Sequence, residues 1–171
     1  ITKKVAAGSG LGSSASSSAA AVVALNKLLG SPFSRHELIP FAMKGESLAS
    51  GAEHADNVAP SILGGFTLVQ SYEPLRVVKL HYPEDLVATI VHPHVEVKTV
   101  DSKRILRQSI PLKNAITQWA NVGGLVAGLA QEDFELIGHS LQDVVAEPTR
   151  SMLIPMYEQV KILSKELGAL G

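Results

Sequence analysis

The chain has 171 residues, a formal net charge of −1 and no cysteine. The lack of cysteine excludes disulfides, thiolate metal sites and cysteine nucleophiles, and it fits a reducing compartment. A charge this close to zero gives no electrostatic basis for binding nucleic acid or an anionic membrane, and no apolar run approaches the roughly 18 residues of a membrane span. A composition of 46% hydrophobic and 18% charged residues indicates a folded globular protein.

The first predicted elements are a short strand over residues 1–7, a glycine-rich loop over 8–14 and a helix from Ser14 to Leu29. A glycine loop that leads into a helix presents backbone N–H groups and the positive end of the helix dipole, so it predicts an anion site, most often for phosphate. The alternatives are a tight turn without a ligand and a dinucleotide-binding loop. A Walker A loop is excluded because no Gly-Lys-Ser/Thr follows the glycines. The wide apolar face of the helix predicts that it is largely buried.

A second helix is predicted to begin after Ser34, because Ser34 and Glu37 have the spacing of a capping box. Pro40 lies inside this helix and should kink it or delay its start. The predictions for the following segments are a helix end near residue 49, a polar loop over 54–65 and a strand over 66–70.

The second half of the chain is predicted to begin after a hinge over residues 72–85, where prolines and charges cluster. The elements predicted beyond it are a buried strand at 86–91, an edge strand at 95–99, and helices at 100–107, 112–130, 134–143 and 154–167. Trp119 lies on an apolar helix stripe and is predicted to be a core residue. Together these elements predict an α+β protein whose two halves meet near residue 82.

Four runs of sequence resemble a known family of enzymes. The run GLGSSA at residues 10–15 is similar to the phosphate-binding motif of the small-molecule kinase superfamily that includes galactokinase, homoserine kinase, mevalonate kinase and phosphomevalonate kinase. The run HADNVAPSILGG at 54–65, with EPTR at 147–150 and LIP at 153–155, resembles the homoserine kinase family in particular. The resemblance covers essentially the whole chain but only part of the family's length, so we expect an internal piece of a larger kinase.

This resemblance implies a two-domain small-molecule kinase fold of the α+β class. Residues 1–82 would be the remaining part of an ATP-binding domain of the ribosomal protein S5 domain 2-like type. Residues 83–171 would be the first part of a ferredoxin-like C-terminal domain. Both domains would be incomplete here.

The resemblance also implies sites for ATP and Mg²⁺. The residues matched to the family's phosphate loop are Gly8, Ser9, Gly10, Leu11, Gly12, Ser13 and Ser14. The Ser14 hydroxyl and the Glu46 carboxylate match the family's metal-binding residues, and hard oxygen donors suit Mg²⁺. On residue chemistry alone, Ser14 could instead cap its helix and Glu46 could be a solvated carboxylate.

The residues implied for the acceptor hydroxyl are Asn57, His54 and Thr99. Asn57 matches a position that is an aspartate, proposed as a general base, in mevalonate and galactose kinases. An asparagine can orient a substrate but cannot take a proton, so the hydroxyl would be aligned by Asn57 and would lose its proton to the phosphoryl group. His54 would line the substrate site and Thr99 would lie near the transferring group. Without the resemblance, the polar residues around Asn57 are also typical of a turn in which side chains bond to nearby backbone. Thr99 is likewise typical of an edge strand.

Arg150 matches one of the family's arginines that hold the amino-acid carboxylate, a task that suits a bidentate guanidinium. The second such position falls on Lys103. Its neighbour Arg104 would point elsewhere by roughly 100° on a helix. Either Lys103 serves as a simpler point charge, or the register shifts and Arg104 takes its place.

The implied activity is the phosphorylation of the L-homoserine side-chain hydroxyl by ATP, a step of threonine biosynthesis in the cytoplasm. The expected partners are L-homoserine and ATP, with a homodimer as an option and without nucleic acid or membrane. A mevalonate-pathway kinase is the alternative within the superfamily, and Asn57 and Arg150 disfavour it. Outside the superfamily, the alternatives are a non-catalytic, incomplete fragment and a dinucleotide-binding domain.

Overall fold

The computed structural model of the protein describes residues 2–5, 9–51, 53–91 and 105–171. It divides into two compact units, Ile1–His81 and Tyr82–Gly171. The elements of the first unit are α1 (Ser13–Leu28), α2 (Arg35–Ser50), α3 (Val58–Leu63), β1 (Thr67–Tyr72) and β2 (Leu75–Lys79). Those of the second unit are α4 (Leu112–Gln131), α5 (Phe134–Ser140), α6 (Glu147–Arg150), a 3₁₀ turn (Ser151–Leu153) and α7 (Tyr157–Glu166). The predicted α+β class is confirmed.

Helix α1 confirms the helix predicted after the glycine loop and begins one residue earlier than expected. Its buried face is made of small side chains, because Ala15 and Ala19 are almost fully buried. The prediction that the helix is largely buried is wrong for its C-terminal half, where Leu25, Leu28 and Leu29 are each more than half exposed. The alanines allow neighbouring helices to approach the first turns of α1 closely, and this is the end that carries the loop.

Helix α2 begins with the predicted capping box. The Ser34 hydroxyl accepts the Glu37 N–H at 3.4 Å, and the Glu37 carboxylate accepts the Ser34 N–H at 2.8 Å. The helix starts at once and continues through Pro40, so the expected delay is wrong. It ends at Gly51, whose φ of 77° is the left-handed conformation that glycine adopts without cost.

The core of the first unit lies where α1, α2 and α3 meet. Its buried apolar members are Ala15, Ala19, Leu38, Ile39, Ala42, Met43, Ala55, Val58, Ala59, Ile62 and Leu63. Helix α3 falls within residues 54–65, which were expected to form only a loop. Its apolar residues Val58, Ala59, Ile62 and Leu63 recur at helical spacing and are all buried, so packing against the core accounts for this turn of helix.

Strands β1 and β2 form an antiparallel hairpin, with Thr67 opposite Lys79 and Tyr72 opposite Leu75. β1 confirms the predicted strand. The expectation of a hinge over residues 72–85 is wrong for its first part, because β2 continues the sheet there. Leu75 and Val77 pack against the helical core, and this tertiary contact favours a strand over a linker. The strand expected at the start of the chain is also wrong, since the described residues 2–5 have no strand.

In the second unit, α4 and α5 confirm two of the predicted helices, and the Asp133 carboxylate caps α5 by accepting the Leu136 N–H at 2.9 Å. The last helix, α7, is shorter than expected, and α6 with its 3₁₀ turn was not predicted. The buried strand expected at residues 86–91 is wrong: the segment has no regular structure, and Val87 is 81% exposed. Trp119, expected in the core, is 65% exposed.

The strand expected at residues 95–99 lies outside the described residues, as does most of the helix expected at 100–107. The described end of that segment, residues 105–107, is not helical. Across the described ranges, no helix combines the length and the apolar character that a membrane span requires.

Candidate active site

The glycine loop ends in the N-terminus of α1. Gly12 precedes the helix with a φ of 70°, and Gly10 has a φ of 76°, so both adopt the left-handed conformation that residues with a side chain rarely take. The first turn of α1 contains no acidic residue to repel an anion. The Ser13 hydroxyl donates to the Val5 carbonyl at 3.0 Å and ties the incoming chain to the helix start. The N–H groups of this helix end therefore fit the predicted anion site, although Gly8 lies outside the described residues.

Ser14 and Glu46, predicted as a metal-binding pair, are in direct contact. The Ser14 hydroxyl donates to Glu46 Oε1 at 2.7 Å. Glu46 is only 9% exposed, so it is not a solvated helix carboxylate, and Ser14 directs its hydroxyl at the second helix rather than capping its own. Burying a carboxylate is costly unless a partner compensates for the lost hydration. The pair places two hard oxygen atoms within one turn of the glycine loop.

Asn57 lies against the glycine loop. A Cβ added to Gly12 would come within 3.1 Å of both Cβ and Oδ1 of Asn57, so the asparagine side chain rests on the bare backbone of the loop. The alternative, a side chain that bonds to nearby backbone in a turn, applies to Asp56 and not to the Asn57 side chain. The Asp56 carboxylate accepts the Asn57 N–H at 3.0 Å. The Asn57 side chain makes no capping hydrogen bond to α3, whose residues are all described. Its amide is therefore available to a ligand at the loop.

The segment between α2 and α3 is also held by the hairpin. The backbone N–H of Ala55, a fully buried residue, donates to the phenol oxygen of Tyr72 at 3.3 Å. His54, predicted to line the substrate site, is half-buried directly before Ala55. Sequence reasoning did not single out Tyr72, because its role depends on the pairing of β1 with β2.

Arg150 belongs to the second unit, where it is exposed at the end of α6. The loop before α6 is built by side chains: Asp143 Oδ1 accepts the N–H groups of Val145 and Ala146, each at 2.8 Å. Gln118 on α4 accepts the Val144 N–H at 2.9 Å. These hydrogen bonds fix the backbone that leads into α6, the helix that ends at Arg150. Two other predicted site residues, Thr99 and Lys103, lie outside the described residues.

The second unit also contains an apolar cavity of about 290 Å³ beside α7, lined in part by Ile154, Val160 and an ion pair between Glu147 and Lys161. The hydrogen bond to Glu147 raises the pKa of Lys161, and burial raises the pKa of Tyr157. Of the predicted site residues that the structure describes, none lines this cavity.

The chain is similar to known proteins, first over the part that contains this site. The profile of the GHMP kinases N terminal domain matches residues 1–65, the part that contains the loop, Ser14, Glu46 and Asn57. These residues are therefore similar to a GHMP kinase N-terminal domain.

Over its whole length the chain is homologous to homoserine kinases. It is 52% identical over 171 residues to the homoserine kinase of Chloroherpeton thalassium, covering 100% of this chain and 54% of that protein. The homoserine kinase of Methanococcus maripaludis is 43% identical over 168 residues, covering 98% of this chain and 55% of that protein. The crystal structure of homoserine kinase from Cytophaga hutchinsonii superposes with a TM-score of 0.95 at 58% identity, covering 99% of this chain and 54% of that one. The chain thus spans about half the length of the relatives it matches.

Proposed function

We propose that the protein containing this chain is a homoserine kinase, which transfers the terminal phosphoryl group of ATP to the side-chain hydroxyl of L-homoserine. The products are ADP and O-phospho-L-homoserine, in a cytoplasmic step of threonine biosynthesis. The observation that carries the proposal is the 2.7 Å contact between Ser14 and Glu46, which sits beside a glycine loop on which Asn57 rests. Relatives named homoserine kinase, at 43–58% identity among those described above, support the choice of acceptor.

In this proposal, residues 1–82 are part of the ATP-binding domain, with the S5 domain 2-like fold, and residues 83–171 begin a ferredoxin-like domain. The loop over residues 8–14 cradles the ATP phosphates with its backbone N–H groups. Charge neutralisation and positioning are the main demands of phosphoryl transfer. The N-terminus of α1 meets them because its dipole and N–H groups face an anion without any rearrangement.

Ser14 and Glu46 would hold Mg²⁺. In the described part of the chain, no three histidine or acidic side chains come together as a metal cage. This fits Mg²⁺, which is usually held by one or two carboxylates together with substrate phosphates and water. The ion, when bound, neutralises charge on the phosphate oxygens. Glu46 supplies the only negative charge of the pair, and the Ser14 hydroxyl orients it.

Asn57 would align the acceptor hydroxyl. Its side chain carries both a donor and an acceptor, and its contact with Gly12 places them at the edge of the phosphate loop. Because an amide cannot take a proton, the hydroxyl proton passes to an oxygen of the transferring phosphoryl group as the new O–P bond forms and the bond to ADP breaks. His54 lines the same pocket, and Thr99 lies near the phosphoryl group.

The proposal is tested by ADP release from the intact protein with Mg²⁺ and ATP, comparing L-homoserine, mevalonate and galactose as acceptors. We expect turnover with L-homoserine alone, and a phosphate monoester of homoserine in the phosphorus NMR spectrum of the products. Turnover with mevalonate instead would keep the phosphate site and overturn the substrate. A folded protein that binds ATP but phosphorylates none of the three would contradict the proposed function.

Arg150 would bind the substrate carboxylate, with Lys103 as the second cation. Replacing Arg150 with Ala is expected to raise the KM for L-homoserine about 10- to 100-fold, since a hydrogen bond between charged groups contributes about 1.5–3 kcal/mol. The KM for ATP should change less than about twofold. Arg76→Ala, at an exposed arginine of β2, is the matched control and should leave both constants unchanged. A rise in the KM for ATP instead would place Arg150 outside the acceptor pocket.

A further inference from the structure

Helices α1 and α2 touch at a point where one of them has no side chain. The Ser18 hydroxyl, on α1, donates to the backbone carbonyl of Ala42, on α2, at 2.6 Å. A Cβ added to Gly45 would lie 2.2 Å from Ser18 Oγ and 3.3 Å from Ser18 Cβ. The first distance is far below any real contact of a Cβ atom, so the crossing exists in this form only because residue 45 is glycine.

This crossing lies directly beside the Ser14–Glu46 pair. Ser18 is one helical turn after Ser14, so both face α2. Ala42 is one turn before Glu46, and Gly45 immediately precedes it. Any change in the distance between the helices at the crossing is therefore transmitted through about one turn on each side to the 2.7 Å contact between the two oxygen atoms.

A backbone requirement does not account for the glycine. Gly45 lies inside helix α2, and its φ is not among the positive values found elsewhere in the chain. Glycine is the least favourable residue after proline in the interior of a helix. Gly45 itself is exposed, and the close approach of Ser18 is the feature that excludes a side chain here.

We propose that Gly45 and Ser18 are positioning residues, which set the separation of α1 and α2 and so hold Ser14 and Glu46 in the geometry that binds the metal. The hydrogen bond from Ser18 to Ala42 fixes the crossing, and Gly45 gives it room. This inference rests on the proposed function of Ser14 and Glu46. It adds that the metal site depends on two residues that do not themselves touch the ligand.

The test uses the intact protein and Mn²⁺ as a probe, titrated in the presence of ATP and followed by the EPR signal of the free ion. Gly45→Ala is expected to weaken Mn²⁺ binding at least about tenfold, because the added methyl group must displace the Ser18 hydroxyl from Ala42 and press on Ser18 Cβ. Ser18→Ala should weaken it by a smaller factor, through loss of the hydrogen bond. The double variant removes the Oγ that clashes with the new methyl group, so it should bind Mn²⁺ within about threefold of Ser18→Ala.

Gly123→Ala is the matched control. Gly123 also lies inside a helix, α4, but a Cβ there would meet nothing within 4 Å, so Mn²⁺ binding should stay unchanged. Equal Mn²⁺ affinity in the wild-type protein and in folded Gly45→Ala would overturn the inference. If Gly45→Ala does not fold, Ser18→Ala decides, and wild-type affinity in that variant would overturn it.

The binding readout separates this inference from the proposed function. A wild-type protein that binds Mn²⁺ and ATP but phosphorylates no homoserine would contradict the proposed substrate, and the helix crossing would still be tested by the variants. A wild-type protein that binds no Mn²⁺ would contradict both. If Gly45 and Ser18 only kept the protein folded, their substitution in an active enzyme would lower kcat through loss of folded protein. The Mg²⁺ concentration that gives half-maximal activity would not shift.

Discussion

Glu46→Gln is expected to lower kcat about 100- to 1000-fold while the protein stays folded, a loss of about 3–4 kcal/mol of transition-state stabilisation. Glutamine keeps the size of the side chain and an oxygen that can accept the Ser14 hydroxyl, so the 2.7 Å contact can persist. The substitution removes only the negative charge. Since this carboxylate is 9% exposed, its charge is little screened by solvent, and its loss should weaken binding of a divalent cation strongly.

The measurement is turnover as a function of Mg²⁺ concentration, together with the thermal midpoint of unfolding. Ser14→Ala should shift the Mg²⁺ dependence in the same direction by a smaller factor, because a neutral ligand is lost rather than the charge. Glu73→Gln makes the same charge change at an exposed residue in the turn between β1 and β2 and should have no effect. Wild-type Mg²⁺ dependence in Glu46→Gln would refute the assignment of this residue as a metal ligand.

Gly12→Ala is expected to lower kcat/KM for ATP about 100-fold or more. Two costs combine at this position. A residue with a side chain in the left-handed conformation is strained by about 1–2 kcal/mol, and the φ of Gly12 is 70°. The new Cβ would also press against Asn57 at 3.1 Å, and overpacking of this kind costs about 1–3 kcal/mol more. Either the loop or the asparagine must move, and both are needed in the proposed reaction.

Gly10→Ala separates these two costs. Gly10 has a φ of 76°, but a Cβ there would meet nothing within 4 Å, so this variant carries the conformational strain alone. We expect it to lose about tenfold in kcat/KM for ATP and to keep the wild-type KM for L-homoserine. Gly12→Ala should in addition raise the KM for L-homoserine, through displacement of Asn57. Equal effects of the two substitutions on both substrates would show that Asn57 does not act at the loop.

Much of the first unit follows from local signals in the sequence. The capping box of Ser34 and Glu37 begins α2, and Gly51 ends it, because each signal acts through hydrogen bonds and φ values within one helical turn. The glycine loop that leads into α1 is equally local. The motif strings, read as a resemblance, supplied the candidate residues Ser14, Glu46 and Asn57, although spacing along the chain contains no information on whether they meet.

The wrong predictions concern segments whose state depends on distant partners. Residues 86–91 are apolar enough for a buried strand, but a strand forms only when another strand supplies hydrogen bonds, and Val87 is instead 81% exposed. β2 was missed for the converse reason, because its pairing with β1 and the contact of Val77 with the core outweigh the proline and charges around it. The exposure of Leu28 and Trp119 likewise depends on what packs beside them.

The sequence by itself determined where α1 and α2 begin, where α2 ends, and the residue types available for the proposed reaction, and it predicted the anion site at the loop before α1. Only the tertiary structure decided that Ser14 meets Glu46, that Asn57 rests on Gly12, and that Gly45 leaves room for Ser18. The physical reason is one of range. Capping and turn preferences act between residues a few positions apart, whereas these contacts join residues 27 or more positions apart and exist only because α1, α2 and α3 pack around a shared core.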